Sequence, residues 1–104
     1  MSVKKLVYIA HPLRGNVEEN IKKVTAICQE IIKKDHVIPL SPIHSFSFMS
    51  VKGDQSQVLR YCIYLLSKVD ELWVYGEWQQ SIGCRMEIDC ALQNGLPIRY
   101  MGDE

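Results

Sequence analysis

The stretch KLVYIAHPLRGN, residues 5–16, decides the fold. Its first half, KLVYIA, is a short continuous apolar run, the pattern of a strand buried on both faces rather than one. RGN then breaks the run. Asn16 followed by Glu19 has the N-cap residue and third-position acid of a capping box. Beyond it Val17, Ile21, Val24, Ile27 with Cys28, and Ile31 recur at spacings of three and four, which predicts an amphipathic helix ending near Lys34. A doubly buried strand that turns through a glycine into a helix is the opening of a β-α-β chain.

The same alternation continues outward. HVIPL (36–40) reads as a second strand, with Pro39 placing it at a sheet edge. Residues 41–54, SPIHSFSFMSVKGD, form a long connection, and loops of that length in compact domains usually serve a function. Asp54 is placed to cap a helix over 55–68, with Val58, Leu59, Cys62, Leu65 and Leu66 facing inward. ELWVYG (71–76) is a third strand, a third helix runs over about 82–94 to a C-cap at Asn94-Gly95, and LPIRYM (96–101) is a fourth strand. The order predicts one α/β domain over residues 1–104. It is a three-layer, flavodoxin- or Rossmann-like sandwich with a parallel sheet of four or five strands in the order 2-1-3-4.

The bulk properties narrow the class. The chain has 104 residues, 47% of them hydrophobic, which suits one folded domain rather than disorder. Its formal net charge is zero, so there is no electrostatic footprint for nucleic acid or an anionic membrane. No apolar run nears the roughly 20 residues that span a bilayer, and MSVKKLVYIAHP reads as a strand rather than a signal peptide. Cys28, Cys62, Cys84 and Cys90 form no C-x-x-C pair and no zinc spacing with the histidines. They read as reduced thiols of a cytoplasmic protein, and neither a metal nor a redox cofactor is expected.

Ligands of such sheets bind beyond the carboxyl ends of the strands. The segments to search are 11–16, 41–54 and 76–83. Arg14-Gly15 precedes a helix N-terminus, where backbone N–H groups and a guanidinium suit a phosphate, though the pair also reads as a turn glycine and a surface arginine. Ser81 can cap the third helix, and Gly83 lets a ligand approach its backbone. Glu87 lies about 9 Å along that helix from Ser81, at roughly 1.5 Å per residue, and helical side chains lean back toward the N-terminus. Its apolar neighbours Ile82, Met86, Cys90 and Ala91 put it on the border of a buried face, the setting of a candidate nucleophile or base. His11, Ser41 and His44 at the strand ends, and Trp78 as a stacking surface, complete the candidate substrate-binding residues.

Taken together, YIAHPLRGN (8–16), DELWVYG (70–76) and W-x-x-S-x-G-x-x-x-E (78–87) resemble the nucleoside 2-deoxyribosyltransferase-like superfamily, which includes the 2'-deoxynucleoside 5'-phosphate N-hydrolases. The chain is most similar to the small phage and bacterial members of that group, and the resemblance covers nearly all of it. It implies that Glu87 attacks C1' of a deoxyribose, that Tyr8 supports this carboxylate, and that Ser81 with the Arg14-Gly15 loop holds a 5'-phosphate. One departure stands out. Catalytic members carry an aspartate, the acid/base at the leaving nucleobase, eight residues before the acid that opens strand three. That acid is Asp70 here, and Cys62 stands at the aspartate's place. His11 and His44 are the alternative proton donors.

The expected function is therefore N-glycosidic bond cleavage or deoxyribosyl transfer on a small nucleoside or nucleotide. The alternative is a non-catalytic module that binds a nucleotide or nucleotide-derived signal. A small α/β domain has few helices to cover both faces of its sheet, so a homodimer or higher homo-oligomer is expected, joined through the apolar YCIYLL segment.

Overall fold

The computed structural model of the protein describes residues 4–102. The elements run β1 (Lys5–Ala10), α1 (Val17–Ile31), β2 (Val37–Leu40), α2 (Pro42–Ser45), α3 (Ser56–Leu66), β3 (Glu71–Val74), a 3-10 turn (Trp78–Gln80), α4 (Ile82–Gln93) and β4 (Ile98–Tyr100). All strand pairings are parallel and the sheet order is β2-β1-β3-β4, as the alternation of the sequence predicts. Pro39 lies in the edge strand β2, where a missing N–H is tolerated.

Strand alternation sorts β1 into two faces. Val7 and Ile9 pack with Val24 and Ile31 of α1, with Val37 and with Trp73. Tyr8 and Ala10 point the other way, into a cluster with Cys62 and Leu66 of α3 and Cys84, Ile88 and Ala91 of α4. The central strand is thus covered on both sides, giving the three layers expected. Tyr8, with a leucine beside it on each neighbouring strand (Leu40 and Leu72), is fully buried.

The departures from expectation are local. Helix α1 stops at Ile31 rather than Lys34, and the strands β3 and β4 are shorter than read. The long connection is not structureless: Ser41 caps the four-residue α2 by accepting from the His44 N–H, with Pro42 at its first position. Asp54 is not the N-cap of α3. Gln55 holds that position, and Asp54 accepts instead from the backbone N–H (3.0 Å) and hydroxyl (2.6 Å) of Ser56.

Candidate functional site

The carboxyl ends of β1 and β3 open into a cleft of about 1070 Å³, walled by the loop after β1, α1, the 42–55 segment, α3 and the start of α4. Its position follows from the topology, because β1 and β3 send their chains to opposite faces of the sheet at this point. Ser81 sits at the head of α4 and accepts from the Cys84 N–H (3.2 Å), which fixes where the helix begins. One and a half turns later, Glu87 reaches the base of the cleft.

Glu87 is 8% exposed, and its Oε2 accepts a hydrogen bond from the Tyr8 hydroxyl. The two residues are 79 apart in sequence and meet because β1 and α4 pack face to face. Among the described residues Glu87 has no cationic partner. Burial therefore pushes its carboxyl up to about 7, with the Tyr8 bond pulling the other way. Its second oxygen, Oε1, takes no hydrogen bond, yet no buried side-chain oxygen of the described residues lacks one. Oε1 is thus open to the cleft.

Two thiols flank the pair. Cys62 of α3 lies within hydrogen-bond reach of the Tyr8 hydroxyl, and burial pushes it up to about 11. Cys84, one turn before Glu87, is pushed to about 12, first by burial and then by the neighbouring carboxylate. Tyr8 itself is raised well above its ordinary value by burial and by Glu87, so it remains a neutral donor.

Of the residues singled out from the sequence, His11, Arg14, Ser81, Gly83 and Glu87 line this cleft together. Arg14 Nη2 donates to the Gly53 carbonyl (3.3 Å), tying the β1 loop to the far rim. His11 donates from Nδ1 to the Pro12 carbonyl (2.7 Å). The other candidates stand elsewhere. Gly15 occupies a turn at φ 102°, outside the cleft lining. Ser41 is buried as the α2 cap. His44 has its two ring nitrogens against Ser41 Oγ (2.7 Å) and Thr25 Oγ1 (2.8 Å), a bridge between α2 and α1 rather than a proton donor in the cleft. Trp78 packs on Tyr100 with centroids 5.3 Å apart and joins the core, so no face of it lines the cleft.

A family model described as a domain of unknown function (DUF7768) matches residues 5–101. The chain belongs to this family. No curated protein matches it.

The matched span holds all four strands and every residue lining the DUF7768 cleft except Gly102. Three of its contributors went unread in the sequence. Lys23 of α1 lines the cleft without an ion-pair partner among the described residues. Cys84 looked like core, because a buried thiol and a site thiol have the same helical spacing. Gly76 adopts φ 71°, and a Cβ there would lie 3.2 Å from His11 Nε2 and from Pro12 Cδ. Its signal was the glycine ending ELWVYG, which lets the β3 loop pass against the β1 loop. Among the described residues no three His, Cys, Asp or Glu side chains converge to hold a metal ion. No helix among them is long and apolar enough to cross a membrane.

Proposed function

We propose that this domain cleaves or transfers the N-glycosidic bond of a nucleoside or nucleotide, with Glu87 as the nucleophile at C1'. The observation that supports this reading is the buried carboxylate without a cation, held on one oxygen by Tyr8 and open to the cleft on the other. It accords with the resemblance to the nucleoside 2-deoxyribosyltransferase-like superfamily. In its ionised form Glu87 attacks C1' through Oε1, the base departs, and a glycosyl-enzyme forms. Tyr8 holds the carboxylate in position. Water or a second base then attacks C1' from the vacated face, so configuration is retained. Arg14 and the N-terminus of α4, both on the cleft wall, suit a 5'-phosphate.

A second reading, a binding module that holds a nucleotide without turning it over, draws support from Cys62. A buried thiol at about 11 is a poor proton donor to a departing base. Chromatography of a nucleoside and nucleotide panel separates the two. Catalysis requires base release that Glu87→Gln lowers by at least about a thousandfold, some 4 kcal/mol of barrier. Nucleotide binding with no released base favours the module.

We also place the domain in a reducing cytoplasm, in keeping with its four free thiols, and pair it with a second copy through α3. Tyr61, Ile63 and Tyr64 of that helix are exposed. Light scattering should give about twice the chain mass of 12.0 kDa. Tyr64→Lys should return it to a single chain.

A further inference from the structure

We propose, resting on the nucleophile reading above, that the substrates of this cleft are cationic N-glycosides, whose base leaves as a neutral molecule without taking up a proton. A neutral nucleoside expels its base as an anion unless an acid protonates it as the bond breaks, so such enzymes need a donor near C1'. The groups that act on Glu87 are Tyr8 from β1, Cys62 from α3 and Cys84 from its own helix. Tyr8 already donates its proton to Glu87. The two thiols are buried, and each holds its proton far above neutrality. Of the two histidine candidates, His44 is engaged by Ser41 and Thr25, and His11, which lines the cleft, gives its Nδ1 proton to the Pro12 carbonyl, so that Nε2 of the neutral ring is an acceptor. The nucleophile is thus surrounded by groups that support a carboxylate and are poor sources of a proton.

A pyridinium or N7-alkylated purinium glycoside has no such need. Its C1'–N bond breaks with the electron pair moving onto the ring nitrogen, which cancels the positive charge. The C1'–Oε1 bond to Glu87 forms in the same step. Water then attacks C1', the carboxylate leaves, and the water's second proton passes to solvent. The net reaction is cationic glycoside plus water to neutral base, free sugar and one proton.

The electrostatics agree. A carboxylate buried without a cation is a place where a positive ring is welcome, since the attraction is strong in a low-dielectric site. Phe46 lines the same cleft, and an aromatic face attracts a cation. The volume, about 1070 Å³, is just above the usual ~300–1,000 Å³ for small-molecule sites and admits more than one nucleoside. Arg14 and Lys23, neither ion-paired among the described residues, supply positive charge on the wall for phosphates. A pyridinium dinucleotide meets all of these features.

The test compares cationic glycosides (NAD⁺, nicotinamide mononucleotide, nicotinamide riboside, 7-methylguanosine) with neutral ones (adenosine, 2'-deoxyadenosine, AMP, thymidine). Base release is read for each as the rate enhancement of wild type over Glu87→Gln. The expected result is an enhancement at least a hundredfold larger for the cationic set. The nicotinamide compounds and 7-methylguanosine separate a pyridinium from an alkylated purine as the preferred source of charge. Lys23→Ala should raise KM for nicotinamide mononucleotide about tenfold and leave nicotinamide riboside unchanged. Equal or larger enhancement on neutral nucleosides overturns the proposal and leaves Glu87 as the nucleophile. Release from neither set overturns both. A binding measurement independent of turnover uses 1-methylnicotinamide, which has the charge but no glycosidic bond. It should bind wild type at least tenfold more tightly than neutral nicotinamide, and Glu87→Gln should erase the difference. Equal binding of the two compounds to wild type counts against the proposal.

Discussion

Glu71 and Glu87 are both 8% exposed, and they stand at opposite ends of the same sheet. Glu71 opens β3 at the amino end and is fully partnered. Lys5 Nζ donates to it at 2.5 Å, Trp73 Nε1 at 2.8 Å, and Arg99 Nε lies 3.3 Å away. Those partners, Lys5 foremost, hold its carboxyl below the usual range. Glu87, at the carboxyl end, has a phenol, two thiols and no cation, and burial raises it to about 7. The two residues are equally shielded at the surface, but the balance of causes differs: desolvation dominates at Glu87, where only a phenol opposes it, and the Lys5 and Trp73 bonds outweigh it at Glu71. One end of the sheet uses its buried acid to fasten strands β1, β3 and β4 together, and the other leaves its acid short of stabilisation in an open cleft. An unpaired buried charge opposes folding, and such groups cluster where a protein does chemistry.

The comparison predicts stability effects of opposite sign. The Glu87 carboxyl rises from 4.5 to about 7 on folding, so its contribution to stability is fully present below about pH 4.5 and is lost as pH rises through 7. Glu87→Gln removes that loss. Urea unfolding should find the variant up to about 3 kcal/mol more stable than wild type at pH 8, with the gain vanishing near pH 4. A variant destabilised at pH 8 would break the comparison, because Glu87 would then be held by something other than Tyr8.

The same titration predicts the pH profile of base release. The nucleophile must be ionised, so the rate should climb through about pH 7 and fall roughly a hundredfold between pH 8 and pH 5. Initial rates across that range test it. A profile flat down to pH 5 would show a carboxyl of ordinary acidity.

The smallest effect belongs to Glu71→Gln. Lys5 and Arg99 are partly exposed, 39% and 60% at the side chain, so solvent screens much of the attraction. The variant should lose about 1–2 kcal/mol at pH 7. Glu71 has a depressed carboxyl, so its contribution is present above about pH 4.5 and fades as pH falls through its folded value. The cost should therefore shrink in acid, opposite to the trend at Glu87. Base release per folded molecule should not change.

Much of this was legible along the chain. The parallel order followed from elements alternating with the right periods. Pro39 marked the edge strand, and Ser81, three residues before Cys84, marked the start of α4. These are local signals, because side-chain period and capping act over two to four residues. The short α2 was legible too, in Ser41-Pro42, but was hidden within a stretch read as one connection.

What the sequence by itself determined is the layer order, the strand that sits at the centre, and the presence of Tyr8, Arg14, Ser81 and Glu87 near the carboxyl ends of that sheet. Only the tertiary structure decided which polar groups meet. Tyr8 reaches Glu87 across 79 residues, whereas His44 is taken up by Ser41 and Thr25, and Trp78 turns to Tyr100. The reason is physical. A side chain's period says which face it takes, but a buried carboxylate's chemistry depends on whether a cation lies within a few ångströms, and that is set by the packing of distant elements. Along the chain Glu71 and Glu87 both stand beside apolar residues, and the fold gave cations to one and a cleft to the other.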